Sequence, residues 1–142
     1  MGQTSSIQKC NFEDIQEIYL SNSDTQYILL NTLPKIEQYC LIKGTVYILE
    51  EETIINTLLK NKCESHGIII YGKNSNDNSV IDKYKQLFSL GFSNIYIYSG
   101  GLFEWLCLQD IFGNEEFPTE GNELDILKFK PLNIKKKLLK DT

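Results

Sequence analysis

Two hydrophobic rhythms run along the chain. Phe12, Ile15, Ile18 and Tyr19 recur at helical spacing, and Asn11 with Asp14 three residues on resembles a reciprocal cap, so a helix is expected to open at Asn11. The polar run Ser21, Asn22, Ser23, Asp24 breaks it. Tyr27, Ile28, Leu29 and Leu30 then form a short apolar run that fits a buried strand, and Pro34 marks the loop that follows. Cys40, Leu41, Ile42 and Val46, Tyr47, Ile48 flank Lys43 and Gly44 as one bent strand or two short ones. Glu50, Glu51 and Glu52 suit the positive end of a helix dipole, and Ile54, Ile55, Leu58 and Leu59 give that helix its apolar face.

The clearest strand is Gly67, Ile68, Ile69, Ile70, Tyr71. It is apolar without alternation, as in a sheet covered on both faces. A wholly polar loop follows: Gly72, Lys73, Asn74, Ser75, Asn76, Asp77, Asn78. Ser79 with Asp82 fits the cap of the next helix, Val80, Tyr84, Leu87, Phe88 and Leu90 give its stripe, and Gly91 stands where a left-handed C-terminal cap belongs. Asn94, Ile95, Tyr96, Ile97 and Tyr98 form another strand, Ser99, Gly100 and Gly101 a tight turn, and residues 102–110 a helix. Strands alternating with helices predict an α/β fold around a mainly parallel sheet.

Composition narrows the picture. The chain has 142 residues, enough for one core, and 42% hydrophobic residues, which is ordinary for a folded protein. No apolar run is long enough to span a bilayer, and no signal-peptide core follows Met1, so a cytoplasmic location is expected. The net charge of -5 conceals an asymmetry, because 6 of the 14 lysines fall after residue 127. There is no arginine, and so no rigid fork for phosphate or another oxyanion. An acidic body with a short basic end does not suit nucleic acid.

Candidate chemistry is sparse. Cys10, Cys40, Cys63 and Cys107 are scattered with no paired spacing, and His66 is the only histidine, so neither a metal site nor a cofactor is expected. The thiols read mostly as core filler, His66 as a histidine at a strand edge, and Trp105 as core. Residues 1–10 read as a flexible leader, residues 11–126 as the domain, and residues 127–142 as a lysine-rich tail. Met1, Gly2, Gln3, Thr4, Ser5 and Ser6 fit the N-myristoylation pattern. One acyl chain anchors only marginally; Cys10 as a palmitoylation site, or Lys135, Lys136 and Lys137 against an anionic membrane surface, would supply the second signal.

The order of these segments resembles the rhodanese-like family over roughly residues 11–118. Leu41, Ile42, Lys43, Gly44 and Thr45 resemble the stretch that usually reads H-I-x-G-A. Leu90, Gly91, Phe92 and then Ser99, Gly100, Gly101 and Trp105 resemble the family's C-terminal pattern. The resemblance implies a three-layer α/β fold with a central, mainly parallel sheet flanked by helices. It also implies a site in the loop after the central strand, where backbone N–H groups and a helix N-terminus cradle a thiolate and an anionic sulfur or phosphoryl group. Related cell-cycle phosphatases close that loop with an arginine.

Here the nucleophile position is Gly72, the closing position is Asp77 or Asn78, and the usual aspartate after the second strand is Asn31. The loop Gly72, Lys73, Asn74, Ser75, Asn76, Asp77, Asn78, Ser79 is thus a degenerate active site with no catalytic residue. It is open to three readings: a plain polar connection, an anion site with Lys73 as counter-charge, or a site served by a relocated thiol. The expectation is a non-catalytic binding or adaptor domain with an unidentified protein partner. Its rival is a sulfurtransferase or phosphatase-like enzyme with residual activity.

Overall fold

The computed structural model describes residues 7–20, 27–63 and 65–135. The acylation pattern around Gly2, the helix-breaking run 21–24, and Lys136 and Lys137 lie outside them. The elements are β1 (Lys9–Cys10), α1 (Phe12–Leu20), β2 (Tyr27–Asn31), β3 (Leu41–Ile42), α2 (Ile48–Lys60), β4 (Gly67–Tyr71), α3 (Ser79–Ser89), β5 (Ile95–Tyr98), α4 (Gly101–Phe112) and β6 (Thr119–Glu120), with 3-10 turns at Lys35–Glu37 and Ile126–Phe129.

Four strands form one parallel sheet in the order β1-β5-β4-β2, and β3 pairs antiparallel with β6 beside it. Alternation along β4 explains the three layers. Ile69 and Tyr71 face a core shared with Ile15 of α1 and Leu102, Trp105 and Leu106 of α4. Ile68 and Ile70 face Ile55 of α2 and Val80, Tyr84 and Leu87 of α3. Because both faces are covered, all five residues of β4 are buried, as the unbroken apolar run predicts. No helix among the described residues is long and apolar enough to cross a membrane.

Local chemistry sets the helix ends. The Asn11 side-chain oxygen accepts the Glu13 N–H at 2.8 Å, while Asp14 accepts the Asn11 N–H at 3.0 Å, closing the expected reciprocal cap. Gly91 takes φ +109°, and the Phe92 N–H returns to the Leu87 carbonyl at 3.2 Å, so the left-handed cap forms as read.

The expected leader is folded at its end. Lys9 and Cys10 pair with Ile97 and Tyr98, and the Gln8 side chain donates to the Ile95 carbonyl at 2.9 Å. Two residues are too few for a period-two signal. The expected tail likewise starts inside the domain, because Phe129 is fully buried in the same core as Trp105 and Phe117. One aromatic among lysines carries no periodicity. Leu41 and Ile42 make a strand, but Ile48 opens α2, and Val46 instead gives its N–H to the Leu29 carbonyl at 2.9 Å. Of the cysteines only Cys40 is fully buried; Cys10, Cys63 and Cys107 are half-buried.

Candidate functional site

The loop after β4 is held from below and from both sides. Below it, Tyr71 is fully buried. Its hydroxyl accepts the Ile42 N–H at 3.1 Å and lies 2.7 Å from Thr45 Oγ1. Thr45 spends its own proton on the Ile42 carbonyl at 2.5 Å, so the Tyr71 phenol is the donor in that pair. Burial pushes the Tyr71 pKa up and keeps it a neutral phenol. The network ties the Leu41–Thr45 segment to the root of the loop.

On one side stands the start of α4. Gly101 takes φ +66°, and a β-carbon there would sit 2.7 Å from the Gly72 carbonyl oxygen. Only glycine allows so close an approach in that conformation. The Leu102 and Phe103 N–H groups, free at the start of a helix, donate to the Gly72 and Lys73 carbonyls at 2.9 Å each. Gly101 therefore seats the loop. Trp105 is core as expected: it is fully buried, donates to the Pro118 carbonyl at 3.1 Å and meets Phe117 edge to face at 5.0 Å.

The loop's interior is filled by its own carboxylate. Asp77 Oδ2 accepts the Lys73 N–H at 2.9 Å, and Oδ1 accepts the Ser79 N–H at 3.1 Å and the Ser79 hydroxyl at 2.6 Å. Thr32, the residue after β2, lies 2.7 Å from that hydroxyl. A β-carbon on Gly72 would fall 2.6 Å from Asp77 Oδ2 and 2.7 Å from Val80 Cγ2. The carboxylate thus occupies the space into which a side chain at position 72 would project. Asp77 also takes over the role read for Ser79 and Asp82. The cap position of α3 is Asn78, which makes no side-chain cap bond, so Asp77 satisfies the first helical N–H from one residue further out.

The remaining candidates are placed around this centre. Lys73 turns away from the loop interior and pairs with Glu37 at 2.9 Å. Asn74 accepts the Asn76 N–H at 2.9 Å and donates to the Phe129 carbonyl at 2.9 Å, fastening the C-terminal segment to the loop. Asn31 accepts the Leu33 N–H at 3.0 Å. Ser75, Asn76 and Asn78 are exposed. Above the loop is a cleft of about 530 Å³, whose walls include Thr32, Pro34, Lys128, Lys130 and Leu132. Sequence reading missed this C-terminal wall, because nothing in the spacing shows that Phe129 is an anchor.

None of the four thiols lines this cleft. Burial, with Asp14 adding to it, pushes Cys10 up to about 12. Burial also raises Cys40, and burial with Asp110 and Glu104 raises Cys107. Raised thiols hold their protons and are poor nucleophiles at neutral pH. His66 Nδ1 lies 3.1 Å from the Gly67 carbonyl at the opposite, N-terminal end of β4.

Comparisons with known proteins agree with this architecture. A family model described as Rhodanese-like domain matches residues 15–107. No curated protein sequence gives a significant match. Among solved structures, the Alr3790 protein from Anabaena is 18% identical, with a TM-score of 0.57 over 84% of this chain and 97% of its own. Ygr203w, described as a yeast protein tyrosine phosphatase of the rhodanese family, is 14% identical, with a TM-score of 0.55 over 87% and 99%. The Saccharomyces cerevisiae single-domain sulfurtransferase RDL2 is 15% identical, with a TM-score of 0.50 over 78% and 98%. At such identities the likeness is one of fold.

Proposed function

The chain belongs to the rhodanese-like domain family, and within it we propose that this domain is a non-catalytic binding module. The observation that carries the proposal is the Asp77 carboxylate over Gly72. The position where the family's chemistry needs a thiolate has no side chain, and a fixed negative charge lies beside it. That charge repels an anionic sulfur or phosphoryl donor, and the chain has no arginine to offset it. The Asp77 carboxylate already accepts the loop N–H groups of Lys73 and Ser79, so those two donors are not open to an incoming anion.

The test is turnover with purified protein, using thiosulfate and cyanide for sulfur transfer and an aryl phosphate for phosphatase activity. The expected result is no activity that depends on a cysteine. Turnover abolished by serine at any one of Cys10, Cys40, Cys63 or Cys107 would establish the rival, an enzyme served by a relocated thiol.

The proposal includes a peripheral membrane tether on the cytoplasmic side, through acylation of Gly2 reinforced by Lys135, Lys136 and Lys137. Cys10 is left out of it, because its thiol is half-buried in β1 and raised to about 12. An alkyne-myristate label should mark the wild-type chain and not Gly2→Ala. Equal labelling of both would remove the tether.

A further inference from the structure

The C-terminal stretch has a composition opposite to the rest of the chain. From Ile126 to Lys140 the sequence holds six lysines and no carboxylate, whereas the residues before it are acidic on balance. The 3-10 turn at Ile126–Phe129 sorts the first of these residues by its three-residue period. Ile126 and Phe129 pack on the core that holds Trp105. Leu127, Lys128 and Lys130 are left outside, and Leu132, Ile134 and Lys135 are exposed after them.

Charge and apolar surface are interleaved on this face. Lys128 is already engaged, since it donates to the Tyr39 hydroxyl at 2.6 Å and meets Glu123 at 3.5 Å. Lys130 and Lys135 have no ionic partner among the described residues, and Lys136, Lys137 and Lys140 follow in the sequence. Between these lysines stand large apolar side chains: Leu127 is 62% exposed, Leu132 43% and Ile134 79%. A purely charged partner such as nucleic acid would pair the lysines and leave those three side chains in water. An anionic bilayer takes both kinds, with its headgroups on the ammonium groups and its acyl boundary on leucine and isoleucine. Lysine stems are long enough to lie along the apolar level while the charge stays at the headgroups.

We propose that residues 127–135 form a docking face that inserts its leucine and isoleucine side chains at the surface of an anionic bilayer. Phe129 makes this face part of the domain: it is fully buried, and its carbonyl accepts the Asn74 side chain at 2.9 Å. Lys130 and Leu132 also wall the cleft above the loop, so docking sets that cleft against the headgroup layer. The inference rests on the reading of the domain as membrane-tethered, and it supplies the second contact that a single acyl chain needs. It does not use the acyl group itself.

The test therefore uses the full chain carrying Gly2→Ala, sedimented with phosphatidylcholine vesicles that contain or lack phosphatidylserine. Binding is expected only with phosphatidylserine present, and it should fall as salt is raised. Lys130→Gln with Lys135→Gln should weaken it about 25-fold, at about fivefold for each lysine. Leu127→Ser with Ile134→Ser keeps every charge and should weaken it about tenfold. All four positions are exposed, so both variants should unfold in urea as the parent does. Three results would each overturn the inference: no binding that depends on phosphatidylserine, undiminished binding of either double variant, or release from the vesicles by soluble polyglutamate at equal charge. The last would make an acidic protein the partner. Any of them, with the alkyne label still on wild-type Gly2, removes this face and leaves the acyl tether standing. An unlabelled Gly2 with vesicle binding intact removes the acyl tether alone.

Discussion

The Asp77 carboxylate lies against Gly72 so closely that a β-carbon at position 72 would come within 2.6 Å of Oδ2. The two residues are therefore matched: the glycine leaves room for the carboxylate, and the carboxylate closes the loop that a thiolate would otherwise occupy. Gly72→Cys should disrupt this match rather than restore an active site. The new side chain must displace Asp77 and press on Val80, at a cost of about 1–3 kcal/mol. Gly72→Cys with Asp77→Gly should recover part of that loss. Urea unfolding of the three proteins checks both statements, and a single variant as stable as wild type would contradict the packing.

Asp77→Ala removes the acceptor for two backbone N–H groups and the Ser79 hydroxyl. A loss of about 1–2 kcal/mol is expected, as for other lost helix-start acceptors. Amide exchange should quicken specifically at Lys73 and Ser79. Asp77→Asn, which keeps one side-chain oxygen, should lose less. Unchanged exchange at both amides in the alanine variant would mean that the carboxylate is not what satisfies them.

Phe129 fixes the C-terminal wall of the cleft. It is fully buried, and its carbonyl accepts the Asn74 side chain at 2.9 Å. Phe129→Ala should cost about 3–5 kcal/mol, the range for deleting a buried aromatic side chain. It should also release Lys128 and Lys130 from the rim. Leu127→Ala, at a position 62% exposed, is the control and should change stability by about 0.5 kcal/mol at most. Equal effects of the two would deny that Phe129 is the anchor.

The layers of this domain were legible because they rest on periodicity. The unbroken run of β4, the stripe of α3 ending at Gly91, and the cap at Asn11 each follow from a local rule, and each is found in place. The glycine at position 72 and the absence of arginine were legible directly from the residues. How Asp77 turns inward was not, since an aspartate two residues before a serine reads equally well as a solvated loop charge. The cleft's third wall was hidden for a different reason. Phe129 joins Trp105 and Phe117 through long-range packing, and a single apolar residue in a lysine-rich stretch has no local signature.

Alkaline conditions give a test of burial that does not depend on function. Burial raises the pKa of Cys10 from the ordinary 9.0 to about 12, and it also raises Cys40, Cys107, Tyr71 and Tyr98. For each, the unfolded chain releases its proton at lower pH than the folded one. Between those two values the unfolded state binds fewer protons, so stability falls as pH rises. The contribution of Cys10 should be fully present below about pH 9 and be lost progressively as pH climbs toward about 12. Cys10→Ser should make this decline shallower in unfolding curves taken from pH 8 to 11 (an approximate range chosen to span the shift). Iodoacetamide should likewise alkylate Cys10 slowly in the native protein and at an ordinary thiol rate once the chain is unfolded. A native rate equal to the unfolded one would mean that Cys10 is neither buried nor raised, and that the β1 edge does not protect it.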